Sequence, residues 1–178
     1  IPVKTITATD TSTESDRLLA VQNAAVNGAI QVIETNTSGV DYAELSEAAV
    51  ASSTTTSLTV SSASDIAISS EPDIYNGSSL YITSGTGAGQ LRRIKDYVAT
   101  TRTLVVNSEF QTLPSTDSKV IISPTVTIIG DGTGAQAYSK LNSVTGGVTE
   151  IAMINVGSGY TTAKAVISAN NLHGTGAT

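Results

Sequence analysis

The residues with most potential for chemistry are three copies of the tetrapeptide Gly-Thr-Gly-Ala, at Gly85–Ala88, Gly132–Ala135 and Gly174–Ala177. Glycine-rich loops can bind phosphate through backbone amides, but a P-loop also needs a lysine that all three copies lack. A dinucleotide-binding loop needs glycines that open a helix and an acidic residue about 20 positions later. Strand-like sequence follows the first two copies, and the third closes the sequence. We therefore interpret these loops as hairpin turns between strands.

The pattern of ionisable residues does not indicate a metal site. Gly130-Asp131-Gly132 resembles part of a calcium loop, but the alternating acidic ligands of such loops are missing. Asp131 is therefore interpreted as a turn residue that caps nearby amides. His173 is the single histidine and there is no cysteine, so a zinc site rich in nitrogen or sulfur cannot form within one chain. We interpret His173 as a solvated loop residue; a site shared between subunits is the alternative.

The sequence also lacks the patterns of the common hydrolases. Serine and threonine are abundant, but only His173 is a conventional base, and no Gly-x-Ser-x-Gly elbow is present. The 15 acidic residues leave a glycosidase pair of carboxylates open, although none lies among aromatic residues that would stack on sugars. The sequons Asn36-Thr37-Ser38 and Asn76-Gly77-Ser78 have meaning only with a secretory route. We predict a protein that is not an enzyme, with no catalytic, cofactor-binding or metal-binding residues.

Composition and charge narrow the classes of partner. The 178-residue chain has a net charge of −6, and its nine basic residues are scattered, with the densest group at Arg92-Arg93-Ile94-Lys95. Nucleic-acid binding requires a basic stripe, so we interpret this group as the polar face of one strand and predict no nucleic-acid or membrane partner. No apolar run approaches the ~20 residues of a membrane-spanning helix. Because the chain begins with isoleucine and shows no signal-peptide pattern, we expect a piece of a longer protein.

The elements that must position these residues are predicted to be strands. Aromatic residues are only 4% of the chain and tryptophan is absent, whereas serine, threonine and glycine are plentiful, which is typical of β-rich structural proteins. Between Thr125 and Ala169, four apolar runs are separated by glycine clusters, which allow chain reversal. The runs are Val126–Ile129, Ala135–Val144, Val148–Val156 and Ala163–Ala169, with turns at Gly130–Gly134, Gly146-Gly147 and Gly157–Tyr160.

Part of this pattern occurs earlier in the chain. Gly28–Tyr42 aligns without gaps with Gly146–Tyr160 at an offset of 118 residues. Both segments have glycine at the start, apolar residues at matching positions, a second glycine and a terminal tyrosine. A tyrosine after such a turn can cover a hydrophobic layer while its hydroxyl stays in water. The alignment predicts the same strand-and-turn unit twice.

The remaining segments complete a mainly β fold of antiparallel hairpins, a sandwich or a small barrel. An edge strand is predicted at Ile1–Thr7 and one short helix at Ser15–Asn27, where apolar residues recur at helical spacing. Ala43–Thr56 reads as a link. A second unit begins at Ser57, where Leu58, Val60, Ile66 and Ile68 indicate short strands or a strand and turn. Short strands with near-regular turns follow, at Leu80–Thr83, Leu91–Val98, Thr103–Asn107 and Lys119–Ser123. We predict three regions: residues 1–56 with the strand, helix, first β unit and link; 57–123 as an inserted antiparallel β module; and 124–178 as the second glycine-turn unit.

Several stretches together resemble virion proteins of tailed phages. They are IPVKT, AVNGAIQVIETNTSGVDY, GTGAGQLRRIKDY, LVVNSEF, TLPSTDSKVII, VTIIGDGTGAQA, GGVTEIAMINVGSGYTTA and HGTGAT. More narrowly, the chain is similar to the central, glycine-rich region of the baseplate wedge subunit of T4-like contractile-tailed phages. This resemblance implies a structural virion protein of the tail baseplate, assembled in the host cytoplasm, that forms a homodimer and binds other wedge subunits. It also implies a part in the baseplate change that triggers sheath contraction, and no catalytic residues.

Two other functions fit a β-rich phage protein. One is a tail-fibre or receptor-binding module that contacts cell-surface glycans, and the other is a polysaccharide-degrading tail enzyme. The scarcity of aromatic residues disfavours both, because sugar rings are usually held by stacking on aromatic side chains.

Overall fold

The structure, a computed structural model, describes residues 28–42, 45–63, 68–168 and 175–177. The predicted strand at Ile1–Thr7, the predicted helix at Ser15–Asn27 and His173 lie outside these residues. The described part is built from strands, which confirms the mainly β prediction. They are β1 (Ser38–Val40), β2 (Leu45–Ser53), β3 (Ser57–Val60), β4 (Ser79–Ser84), β5 (Leu91–Val98), β6 (Thr103–Val106), β7 (Lys119–Ser123), β8 (Thr125–Gly130), β9 (Thr133–Leu141), β10 (Val148–Ser158), β11 (Ala163–Ser168) and β12 (Thr175–Ala177).

Strands β2 to β7 close into an antiparallel barrel with the order β2-β3-β6-β5-β4-β7. The sequence alternates so that one face of each strand is apolar; in β6, for example, Leu104 and Val106 are buried while Thr103 and Val105 are half-buried. The inward side chains form one core, which holds Leu45, Ala48, Val50, Leu58, Val60, Tyr75, Leu80, Ile82, Ile94, Tyr97, Leu104, Val106, Phe110, Val120 and Ile122. Of the predicted arrangements, the small barrel is the one that forms here.

The predicted link at Ala43–Thr56 is wrong, because most of it is the nine-residue strand β2. This strand pairs with β3 on one side and β7 on the other, so it closes the barrel. Leu45, Ala48 and Val50 contribute buried side chains. Alanine and glutamate give β2 little local strand preference, and pairing on both sides supplies the stability that its composition does not. The barrel therefore begins before the predicted boundary at residue 57.

The four predicted strands after residue 124 all form, but they pair in an order that the turns did not reveal. β9 pairs with β10 and β8 with β11, both antiparallel, giving two two-stranded sheets. The sheets share a second core of Tyr42, Val126, Ala137, Val148 and Ile151, against which Ile33, Ile128, Leu141, Met153, Ala165 and Ile167 pack.

Of the three predicted turns in this region, only Gly146-Gly147 joins two paired strands, β9 and β10. The other two, Gly130–Gly134 and Gly157–Tyr160, carry the chain from one sheet to the other, so the hairpin interpretation is wrong for them. Here a glycine is needed for close packing, because a Cβ on Gly132 would lie 2.4 Å from the Tyr160 ring. Tyr160 packs against this crossing and is buried.

The barrel and the paired sheets are joined by a tyrosine stack and by side-chain hydrogen bonds, among them one from the Thr125 hydroxyl to the Gly77 carbonyl at 2.8 Å. The Tyr81 ring stacks on the Tyr138 ring with centroids 4.6 Å apart. The Ser79 hydroxyl donates to the Thr125 hydroxyl at 3.0 Å. The buried Ser139 hydroxyl donates to the carbonyl oxygen of Pro124, the single residue between β7 and β8, at 2.8 Å.

Candidate functional site

The first Gly-Thr-Gly-Ala copy is a true hairpin turn, and its polar groups are bound by the chain itself. It joins the paired strands β4 and β5. The Thr86 amide and hydroxyl donate to Asp117 Oδ2 at 3.0 and 3.1 Å. The Ser118 hydroxyl donates to the Thr86 carbonyl at 2.7 Å. Hydrogen bonds from the Ser115 hydroxyl, and then from Thr86, lower the pKa of Asp117. The Asp117 carboxylate thus caps the turn and is already hydrogen-bonded within the chain.

Gln90 ties the same hairpin to the chain that follows β6. Its amide nitrogen donates to the carbonyls of Gly87, at 2.9 Å, and Thr112, at 2.7 Å. Its side-chain oxygen accepts from the Gln111 amide at 2.8 Å and from Arg92 at 3.1 Å. These four partners fix the loop, and the side-chain amide nitrogen of Gln90 is hydrogen-bonded within the chain.

The predicted basic group on β5 has a structural use as well. Arg92 donates from Nε to the Glu109 carbonyl at 2.9 Å, and its guanidinium lies 5.7 Å from the centre of the Phe110 ring. Ile94 is buried in the barrel, whereas Arg93 and Lys95 are exposed. Arg93 and Lys95 therefore form the predicted polar strand face. Arg92 is the exception, because it is hydrogen-bonded to the Glu109 carbonyl.

Asp131 binds together the two loops that cross between the sheets. Its Oδ1 accepts from the backbone amides of Thr161, at 2.9 Å, and Thr162, at 3.0 Å. The Thr161 hydroxyl donates to Oδ2. The hydroxyl bond, followed by the backbone bonds, lowers the pKa of Asp131 to about 2. The interpretation of Asp131 as a capping residue is confirmed, although the amides it caps lie on a distant loop.

The aromatic side chains do not form an exposed binding platform. All seven, six tyrosines and one phenylalanine, lie within the described residues. Tyr42, Tyr75, Tyr97, Phe110 and Tyr160 are buried, while Tyr81 and Tyr138 are half-buried against one another. A sugar ring would therefore find no open aromatic face on the surface.

The two copies of the repeated segment lie against one another and are related by an internal two-fold axis. An antiparallel bridge joins Ile33 to Ile151, which are equivalent residues in the 118-residue alignment. Backbone angles agree at three equivalent pairs of positions. The φ angles are 72° at Gly28 and 64° at Gly146, 64° at Gly39 and 66° at Gly157, and 60° at Asp41 and 77° at Gly159. The predicted duplication is thus real at the level of backbone conformation.

Hydrogen bonds at the two ends of the repeat obey the same symmetry. The Tyr160 amide donates to the Gly28 carbonyl at 2.9 Å, and the Tyr42 amide donates to the Gly146 carbonyl at 3.2 Å. A Cβ on Gly28 would lie 2.7 Å from the Gly159 nitrogen, and a Cβ on Gly146 would lie 2.9 Å from the Tyr42 nitrogen. Each copy therefore uses its first glycine to admit the tyrosine end of the other copy.

The second and third Gly-Thr-Gly-Ala copies are related by this axis, and they are strands, not turns. Thr133–Ala135 begins β9, where Ala135 pairs with Val156. Thr175–Ala177 is β12, where Ala177 pairs with Ser38, the residue equivalent to Val156. The hairpin interpretation is wrong for both, because Thr133–Ala135 and Thr175–Ala177 lie in paired strands, unlike the turn at Gly85–Ala88.

Within the described residues, the two-fold relation extends further on one side than on the other. β9 continues along β10 and pairs with it as far as Val148. In the other copy, β12 covers β1, and within residues 28–42, 45–63, 68–168 and 175–177 no strand pairs with Gln31–Glu34 on the side away from β10. Within this segment, Val32 is 61% exposed.

No group of three or more metal-ligating side chains occurs within the described part of the chain. In the same residues, no helix is long and apolar enough to cross a membrane. The sequence names no site residues, and nothing in the composition of Gln31–Glu34 shows that within the described residues this segment has a single bridge, at Ile33.

No protein-family model, curated protein or solved structure matched the chain significantly in comparisons with known proteins.

Proposed function

We propose that the chain is a structural virion protein, a wedge component of a phage tail baseplate, that acts through protein–protein assembly and not through catalysis. The observation that carries this proposal is the contrast between the loops and an exposed apolar segment. In the loops that might have bound ligands, backbone amides already donate hydrogen bonds to carboxylates of the same chain, namely Asp117 and Asp131. Beside them, the segment Gln31–Glu34 exposes the apolar side chain of Val32.

The resemblance to wedge subunits supports the same role, and two of the stretches that carry it contribute to the fold. In GTGAGQLRRIKDY, the glycine turn, Gln90 and Arg92 brace the barrel. In GGVTEIAMINVGSGYTTA, β10 and the buried Tyr160 form one half of the two-fold unit. Both stretches consist mainly of strands and the turns that end them.

The partners in this proposal are other wedge subunits and a second copy of the chain, in a virion assembled in the host cytoplasm. The buried core of a protein–protein interface is richer in apolar side chains than the rest of the surface. Val144, 90% exposed at the β9–β10 turn, Val32, 61% exposed, and Ile129, 57% exposed, provide them. The net charge of −6 favours neither nucleic acid nor an acidic membrane surface as a partner.

The test is to locate the chain in assembled particles by cryo-electron microscopy, supported by cross-links to its neighbours. We expect density for the barrel and the two-fold unit within the baseplate wedge. Density at a fibre tip, or binding of the 178-residue chain to cell-surface glycans on an array, would favour the receptor-binding alternative and refute the wedge role. Cleavage of host polysaccharide by the purified chain would refute both non-catalytic functions.

A further inference from the structure

The dipeptide Asn76-Gly77 has a chemistry that the fold controls. An asparagine followed by glycine is prone to deamidation, because glycine has no side chain to keep its backbone nitrogen away from the asparagine carboxamide. The sequence contains two such dipeptides, Asn27-Gly28 and Asn76-Gly77, and the structure describes both residues of the second. They lie in the turn that leads into β4 and directly follow the buried Tyr75.

The backbone of Gly77 is hydrogen-bonded in two directions. Its N–H donates to the Ile94 carbonyl of β5 at 2.9 Å, and its carbonyl accepts from the Thr125 hydroxyl of β8 at 2.8 Å. Deamidation begins when the Gly77 nitrogen loses its proton and attacks Cγ of Asn76. While the N–H is bonded to β5, this nitrogen keeps its proton and its position, so attack requires the turn to open.

The carboxamide of Asn76 is held as well. Its Nδ2 donates to Asp73 Oδ1 at 2.9 Å, and the Asn76 backbone amide donates to the Asp73 carbonyl at 2.9 Å. The Oδ1 atom of Asn76 is buried. Attack on Cγ would place negative charge on this oxygen, and a buried charge loses the hydration that stabilises it in water. The closed turn therefore opposes both the approach of the nucleophile and the intermediate that it would form.

From these contacts we propose that Asn76 is a deamidation site that the fold keeps closed and that reacts when the turn opens. In the opened turn, the Gly77 nitrogen forms a bond to Cγ of Asn76 and loses its proton to water. The C–N bond of the carboxamide then breaks, and its nitrogen takes up a proton and leaves as ammonia. Water opens the resulting cyclic imide at either carbonyl and leaves aspartate or isoaspartate at position 76.

Either product prevents the turn from closing again as before. Aspartate puts a carboxylate oxygen where Nδ2 of Asn76 donated to Asp73, so a hydrogen bond becomes a repulsion between like charges. Isoaspartate routes the main chain through Cβ and Cγ, and the extra carbon moves Gly77 away from Ile94 and Thr125. The reaction is thus a one-way step that loosens the contact between the barrel and β8.

This modification goes beyond the proposed assembly role and is independent of it. Its rate depends on how often one turn of the barrel opens, which is the same question for a wedge subunit and for a fibre module. Because deamidation is irreversible, modified chains accumulate with the total time that the turn has spent open.

The first test compares deamidation of Asn76 in the folded 178-residue chain and in the same chain unfolded in guanidinium chloride, at one mildly alkaline pH and one temperature. Cleavage after glutamate places Asn27 and Asn76 in separate fragments, and mass spectrometry locates the product. We expect Asn76 to react at least about tenfold more slowly in the folded chain, because only the open fraction reacts. A smaller difference would show that the closed turn gives little protection and would overturn the proposal.

The second test uses matched variants of β8 in the folded chain. Thr125→Val removes the hydrogen bond to the Gly77 carbonyl and should raise the deamidation rate of Asn76 about threefold or more, as expected for the loss of one hydrogen bond. Thr127→Val makes the same change further along β8, at an exposed threonine, and should leave the rate unchanged. Equal rates in the two variants would refute a reaction that passes through opening of this turn.

The third test addresses the one-way character of the step. Asn76→Asp reproduces the aspartate product, whereas Asn76→Ala removes the same hydrogen bond without adding a charge. At neutral pH the Gly77 amide should exchange hydrogen about twofold or more faster in Asn76→Asp than in Asn76→Ala, because two carboxylates then face one another. This difference should disappear when Asp73→Asn is added to both variants. Equal exchange in Asn76→Asp and Asn76→Ala would show that the product closes normally and would contradict the proposal.

Discussion

Gly157 allows the two-fold unit to be tested by a single added methyl group. Its φ is 66°, and a Cβ at this position would lie 2.6 Å from both the Ala135 nitrogen and the Thr133 carbonyl oxygen. Gly134, on the adjacent strand, has a φ of 80°, but its added Cβ would meet no atom closer than 3.9 Å. The two glycines therefore share the backbone conformation and differ in the space available.

The expected cost follows from that difference. Gly134→Ala should lower the free energy of unfolding by about 1–2 kcal/mol, the cost of a left-handed conformation for an L-residue. Gly157→Ala should lower it by about 1–3 kcal/mol more, because backbone atoms of β9 must move away from the methyl group. For a chain of this size the additional loss corresponds to a fall in Tm of about 2–12 °C.

Differential scanning calorimetry measures both variants, and hydrogen exchange in β9 and β10 assigns the affected transition to the paired sheets. The larger Gly157→Val should be destabilised further. If Gly157→Ala and Gly134→Ala melt at the same temperature, the close approach of β9 to Gly157 has no energetic weight. In that case the packing argument for the repeat is wrong.

Three further predictions concern the polar contacts. Asp131→Asn should destabilise the protein at neutral pH. The folded pKa of Asp131, about 2, lies below the unfolded value of ~3.9, so the ionised carboxylate stabilises the fold above about pH 4. In urea titrations the stability difference between the two proteins should vanish as the pH falls towards 2. Burial raises the pKa of Tyr97 to about 12, so stability should fall as pH rises from about 10 to 12. Tyr97→Phe should lack this fall and lose about 1 kcal/mol with the bond to the Ser69 carbonyl. Gln90→Ala should cost about 1–3 kcal/mol and speed hydrogen exchange at Gln111, and unchanged exchange would contradict the bracing role.

The polar contacts also explain why glycine loops in this chain need not imply ligand binding. In both loops an aspartate from a distant segment accepts the amides that a phosphate would otherwise bind. Asp117 does so for Thr86, and Asp131 does so for Thr161. A carboxylate of the same chain occupies these amides without the entropy cost of binding a free ligand, so such a loop stabilises the fold.

The sequence by itself determined where most strands lie. β5 and β7 have the bounds expected from their apolar alternation, and β8 to β11 fall between the glycine clusters. The 118-residue alignment also predicted that Gly28 and Gly146 are equivalent, as their matching backbone angles and contacts confirm. These features depend on local steric rules and on periodicity, which a single sequence displays directly.

Only the tertiary structure decided which strands pair. β2 became a barrel strand although its residues favour no structure locally, since β3 and β7 supply hydrogen bonds on both sides. β8 pairs with β11, 33 or more residues away, and not with the adjacent β9, because two sheets can then bury their apolar faces together. A single sequence does not display these pairings, because a backbone amide is identical in every sequence and only the position of neighbouring strands determines its partner.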